Sequence, residues 1–144
     1  MQLSTRQPSP RVLIADDDPV MRQILKSMIM KEGYEAVVVE DGREAYRILQ
    51  SDANFRGGIF DMMMPHLQGL DVISYMRTEK RLRRIPVLMI SAESDLKLMA
   101  KSFVAGATVF LTKPFTPEQF RATFRILMAN QPTPLGISQN DYAI

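Results

Sequence analysis

The chain has no cysteine and only one histidine, His66. Disulfides, thiol catalysis and thiolate zinc sites are therefore excluded, and His66 has no Cys or His partner with which to hold a metal. It reads as a surface loop residue. No apolar run is longer than a strand, so no membrane-spanning segment is legible. Residues 1–10 are polar, with Pro8 and Pro10, and lack the apolar stretch of a signal peptide. The net charge is only +2, an excess too small to call for nucleic acid. These absences lead us to expect a cytoplasmic protein, without membrane insertion and without direct nucleic-acid binding. What is present is ordinary for a globule. The chain is 144 residues long, 46% hydrophobic and 24% charged, enough for one domain with a proper core.

Strand and helix signals alternate along it. Asp18-Pro19 is a helix start, with Asp as N-cap and Pro at the first helical position. Val20, Met21, Ile24, Leu25, Met28 and Ile29 then fall on one helical stripe, and Gly33 closes it. Ala36–Val39 reads as a second strand. Asp41-Gly42-Arg43-Glu44 has capping-box spacing, followed by an apolar face of Ala45, Ile48 and Leu49. A third helix after Pro65 is predicted to turn Leu70, Val72, Ile73 and Met76 inward. A fourth, after Ser91-Ala92-Glu93 and ending near Gly106, is predicted to turn Leu96, Met99 and Phe103 inward. Thr116-Pro117-Glu118-Gln119 opens a fifth, with Phe120, Phe124 and Leu127 as its stripe. Arg77–Arg84 reads as the solvated end of the third helix. Strands apolar on both faces, separated by helices, imply a parallel sheet covered on both sides.

The chemistry lies at the strand ends. Val12–Ala15 runs into Asp16-Asp17, and Gly58-Ile59-Phe60 into Asp61. Val87–Ile90 runs into Ser91-Ala92, and Val109-Phe110-Leu111 through Thr112 into Lys113-Pro114. In a parallel α/β sheet these C-terminal ends converge on one edge, where ligands bind. Three carboxylates, a hydroxyl and an ammonium would gather there, which suits a hard divalent cation and a phosphoryl group.

These residues, with Met64-Pro65 and Gly69 after Asp61 and Phe115 after Pro114, resemble the receiver domain of bacterial response regulators, the single-domain chemotaxis receiver among them. The likeness covers about residues 10–129. It implies a doubly wound (βα)5 flavodoxin-like α/β fold, with a parallel sheet of order 2-1-3-4-5 over residues 11–129. A flexible tail, 1–10, would precede it, and a tail or linker stub, 130–144, would follow. The resemblance implies that Asp61 is the phosphoacceptor, taking its phosphoryl group from a sensor histidine kinase or histidine phosphotransfer protein. It implies that Asp17, Asp61 and the Met63 backbone carbonyl hold Mg²⁺, with Asp16 acting mostly through water. Lys113 would pair with Asp61 and then with the phosphate. Ser91 would bind a phosphate oxygen, and the small Ala92 would leave room for it. Phe110 would be the aromatic switch residue, Lys113-Pro114 would be a cis peptide, and the face of helix four, strand five and helix five would control an unidentified output partner.

The chain departs from the family pattern in places. Thr108-Val109 stands where many DNA-binding regulators carry acids, which puts their dimer mode in doubt. Phe110 replaces the common tyrosine, Met63 is apolar where a polar side chain can orient water, and Gln68 replaces a common Asp. Three alternatives stand beside the phosphoacceptor reading. One is a haloacid-dehalogenase-type phosphatase using Asp16-x-Asp18, although the chain is short for it and Pro19-Val20 follows where Thr or Ser is expected. The second is a pseudo-receiver that only binds, against which the full set Asp16, Asp17, Asp61, Ser91 and Lys113 argues. The third is a fragment of a DNA-binding regulator.

Overall fold

The computed structural model describes residues 9–93 and 95–129. The two predicted tails lie outside the described residues, apart from Ser9 and Pro10. The elements are β1 (Arg11–Ala15), α1 (Pro19–Lys31), β2 (Glu35–Val39), α2 (Gly42–Ser51), β3 (Gly57–Asp61), α3 (Gly69–Thr78), β4 (Val87–Ser91), α4 (Leu96–Ala105), β5 (Val109–Thr112) and α5 (Pro117–Ala129). All strand pairs are parallel, and the order is β2-β1-β3-β4-β5, as predicted.

Side-chain alternation along the strands divides the core in two. Val12 and Ile14 of β1, Ile59 of β3, and Leu88 and Ile90 of β4 pack against Leu25 and Ile29 of α1 and Phe120, Phe124 and Leu127 of α5. Leu13, Ala15, Phe60, Val87 and Met89 point the other way, to Ala45 and Leu49 of α2 and Val72, Ile73 and Met76 of α3. Central strands β3 and β4 are buried along their whole length.

The predicted caps form. Asp18 accepts the Val20 N–H at 3.0 Å, Asp41 accepts the Glu44 N–H at 2.9 Å, and Thr116 accepts the Gln119 N–H at 3.0 Å. Gly33 follows α1 with φ of 91°, a conformation that favours glycine.

Three expectations need correction. In α1 the buried residues are Leu25 and Ile29, while Val20 and Ile24 are 65% and 39% exposed. The apolar stripe is wider than the surface available to cover it. In α4 the predicted inward face is wrong: Leu96 and Phe103 are 78% and 47% exposed, and the buried residue is Ser102. Leu98 and Ala105, on the same side as Ser102, pack against the core beside Phe110. Ser102 can be buried there because its hydroxyl donates to the Leu98 carbonyl at 3.0 Å within the same helix. Nor is Arg77–Arg84 simply solvated. Arg77 donates to the Gly106 carbonyl, and Arg81 donates to the Leu49 carbonyl at 2.9 Å, at the end of α2. Arg83 and Arg84 are exposed.

Candidate functional site

The site is built at the C-terminal edge of β1, β3, β4 and β5. Asp16 follows β1 and is fully buried. One of its carboxylate oxygens accepts the Asp18 N–H at 2.9 Å, and its carbonyl accepts Arg22 Nη1 at 2.8 Å. Asp17 is exposed. Asp61 ends β3, is 7% exposed, and accepts the Met63 N–H at 3.3 Å. Oxygens of Asp16, Asp17 and Asp61 all lie within 4.8 Å of one another.

Lys113 reaches this cluster from the end of β5. Its Nζ lies 3.2 Å from Asp16 and 3.4 Å from Asp61, so it is shared between the two carboxylates rather than committed to Asp61. The Lys113-Pro114 peptide is cis. The Lys113 N–H donates to the Ser91 carbonyl at 2.7 Å, which ties the lysine to the end of β4.

The charges do not balance. Burial, then the neighbouring Asp16 charge, push the Asp61 carboxyl up to about 6 from 3.8, with Lys113 and the Met63 N–H offsetting this in part. Burial pulls the Lys113 ammonium down, but Asp16 and Asp61 outweigh it and hold it above its usual range. An all-oxygen donor set in charge excess fits a hard divalent cation such as Mg²⁺.

The remaining predicted residues fall around this centre. Ser91 is buried, and its Oγ accepts the Glu93 N–H at 3.1 Å. Its O–H remains a donor for an incoming acceptor. Ala92, next in the chain, is exposed, and Met63, two residues past Asp61, is 58% exposed. Phe110 is half-buried on β5 beside α4. His66 is exposed, on the loop after Asp61, with φ of 69°. Asp18, the second acid of the phosphatase-like spacing, is an exposed cap of α1. Thr108 accepts the Val87 N–H at 3.1 Å, and the Gln68 N–H donates to Asp71 at 3.1 Å.

Two glycines pack tightly against Asp61 and the loop that follows it. A Cβ on Gly69 would stand 2.5 Å from the Asp61 carbonyl oxygen, and one on Gly42 would stand 1.8 Å from the Leu67 carbonyl oxygen. The close approach at Gly42 was not legible in the sequence, where this glycine read only as part of a cap. Arg22 was missed for a similar reason: its acceptor is a backbone carbonyl, which carries no sequence signal.

A five-stranded parallel sheet with this acidic edge and a lysine across from it defines a receiver-type domain. Residues 12–125 match the family described as response regulator receiver domain, and the chain belongs to that family. It is 32% identical over 119 residues to the chemotaxis protein CheY1 of Helicobacter pylori, covering 82% of this chain and 96% of that one. The response regulator MprA of Mycolicibacterium vanbaalenii is 33% identical over 118 residues, which span 82% of this chain and 50% of that protein. Among solved structures, the chemotaxis protein CheY4 of Vibrio cholerae is similar, with a TM-score of 0.77 and 30% identity, covering 83% of this chain and 99% of the other. Among the described residues no helix is long and apolar enough to cross a membrane.

Proposed function

We propose that this chain is a phosphoacceptor, not a turnover enzyme. Asp61 takes a phosphoryl group from the phosphohistidine of a sensor histidine kinase or phosphotransfer protein in the cytoplasm. The observation that carries this reading is the buried Asp61 carboxylate, set among Asp16, Asp17 and Lys113 at one sheet edge. Mg²⁺, held by Asp17, Asp61 and the Met63 carbonyl with Asp16 through water, would supply neutralisation of the charge on the transferring group.

The chain's own residues do the rest. An Asp61 carboxylate oxygen attacks phosphorus, the P–N bond breaks, and its electron pair returns to the donor imidazole. The Lys113 ammonium pairs with the phosphoryl oxygens, giving up part of its hold on Asp61. The Ser91 hydroxyl donates to a phosphoryl oxygen, and the exposed Ala92 leaves space for it. As Ser91 moves inward, Phe110 turns into the vacated space, and the surface of α4, β5 and α5 changes for an output partner. Incubation with acetyl phosphate and Mg²⁺ should add one phosphoryl group by mass. No gain would overturn the reading.

Two further outcomes are expected. Because the cation binds the ionised carboxylate, Mg²⁺ affinity should fall roughly tenfold per pH unit below about pH 6, the value set for Asp61. Titration by calorimetry between pH 5 and pH 8 checks this, and a flat profile contradicts it.

Met63 is exposed and offers an attacking water no hydrogen bond, whereas Glu93, two residues past Ser91, is the other group able to orient one. Met63→Asn should shorten the phosphoryl half-life, about tenfold for a barrier change of about 1.4 kcal/mol. An unchanged half-life at matched Mg²⁺ and pH removes Met63 from the account.

A further inference from the structure

Helix α4 is fastened at one end. At its C-terminus Gly106 takes φ of 116° and returns its N–H to the Ser102 and Phe103 carbonyls. The Gly106 carbonyl accepts both Arg77 Nε at 3.1 Å and Arg77 Nη2 at 2.8 Å, while Arg77 Nη1 reaches the Arg83 carbonyl at 3.2 Å. The arginine stem lies on the glycine itself: a Cβ there would stand 2.6 Å from Arg77 Cγ. Ala107 is buried, and its N–H joins the Ser102 carbonyl at 2.9 Å. Thr108 is bonded through both its N–H and its hydroxyl to Val87 of β4.

The other end has little of this. Leu96, Lys97 and Ala100 are exposed, the Asp95 side chain accepts the Lys97 N–H and its carbonyl the Met99 N–H, both within the helix itself, and of this half Leu98 packs against the core. Ahead of the helix, the described hydrogen bond to the sheet runs from the Glu93 N–H to Ser91 Oγ. That hydroxyl is the one an incoming phosphoryl group would engage.

We infer that Arg77 is the positioning residue of the switch. With Gly106 it pins the C-terminal end of α4, so that phosphorylation of Asp61 swings the N-terminal half of the helix about this point. The inference rests on the phosphoacceptor reading for the trigger but not for the pin.

The chemistry of Arg77 suits a pin rather than an ion pair. All its described contacts are carbonyls, and none of the described ion pairs includes it. Burial holds its guanidinium below the usual range. The planar fork closes two bonds on one oxygen at the negative end of a helix, which a lysine cannot reproduce. A pin here and a loose end at Ser91 turn a small hydroxyl movement into a larger displacement along α4.

Hydrogen exchange read by mass spectrometry on the full chain tests this, in Mg²⁺ with and without acetyl phosphate. In the parent, phosphorylation should change exchange at residues 96–100 and leave residues 103–107 unchanged. Arg77→Met keeps the apolar stem and removes the fork. It should speed exchange at 103–107 by about tenfold or more before any phosphorylation, as expected for losing charged hydrogen bonds. It should also spread the response to phosphorylation over both halves. Arg77→Lys should fall between the two.

A residue serving stability alone would lower the melting temperature of the variants and leave the pattern of the response unaltered, which would overturn the inference. So would a parent response equal in both halves. If Arg77→Met does not fold, the parent and Arg77→Lys still decide. Absence of a phosphoryl mass gain would sink the phosphoacceptor reading, while the exchange of unphosphorylated Arg77→Met at 103–107 would still judge the pin.

Discussion

Asp61→Asn should take up no phosphoryl group from acetyl phosphate, and in metal-free buffer at pH 7 it should be more stable than the parent. The two effects share one cause. The Asp61 carboxyl is held at about 6 instead of 3.8 because it is buried and faces Asp16. Its folded value lies above the unfolded one, so protonation favours the native state. That contribution is complete below pH 3.8 and is lost as the pH rises through about 6. At pH 7 the ionised group therefore costs the fold roughly 2–3 kcal/mol. An asparagine amide removes the charge, while Lys113 keeps its partner Asp16 at 3.2 Å. The melting temperature should rise by roughly 10 °C for a chain of this size. Saturating Mg²⁺ should narrow or reverse the difference, since the parent alone keeps the full donor set. A variant that melts below the parent without metal would mean that Lys113 already neutralises the site.

Gly42→Ala should destabilise the fold although alanine is the better helix former. The propensity gain inside a helix is at most about 1 kcal/mol, and less at a first-turn position. Against it stands a Cβ placed 1.8 Å from the Leu67 carbonyl oxygen, which is backbone and not the tip of a flexible side chain. Either the start of α2 or the loop after Asp61 must move. Overpacking of this kind costs about 1–3 kcal/mol, and the rigid neighbour puts the expectation at the upper end. Because the same loop carries Met63, phosphorylation should slow as well. Gly33→Ala is the comparison: no atom lies within 4 Å of that Cβ, so only the φ of 91° opposes it. Equal melting temperatures for the two variants would show that the loop yields freely.

The sequence was most readable where a local rule meets a backbone need. Asp18, Asp41 and Thr116 stand at helix starts because their oxygens accept N–H groups that the helix leaves open, and each does so. Strand ends were legible because β1, β3 and β4 change abruptly from apolar to polar at Asp16, Asp61 and Ser91. The gathering of Asp16, Asp17, Asp61 and Lys113 then follows from parallel topology. Reading failed where the answer depends on the third dimension. Leu96 and Phe103 have the spacing of a buried stripe, but the side of α4 turned to the core is the one that carries Leu98, Ser102 and Ala105. Arg77 and Arg81 bond to carbonyls 29 and 32 residues away, and any residue type supplies a carbonyl. The two-way hold of Lys113 is likewise a matter of a few tenths of an ångström, below what spacing conveys.

Helix α3 starts against the backbone behind Asp61. The Gly69 N–H joins the Met62 carbonyl at 3.2 Å, the Met62 N–H joins Ile90 at 2.8 Å, and no side chain larger than hydrogen fits between Gly69 and the Asp61 carbonyl. Asp61 is thus mounted on backbone from behind, while Ser91 ends the neighbouring strand β4. A lineage that inherits this arrangement is free on one side only. If a partner reads α4, as we propose, the helix's exposed residues Leu96, Phe103 and Val104 can change to suit that partner without touching Asp61. A side chain at Gly69 would displace the Asp61 backbone whatever that partner is, because the obstructing atom is a carbonyl oxygen and no exchange of side chains removes it.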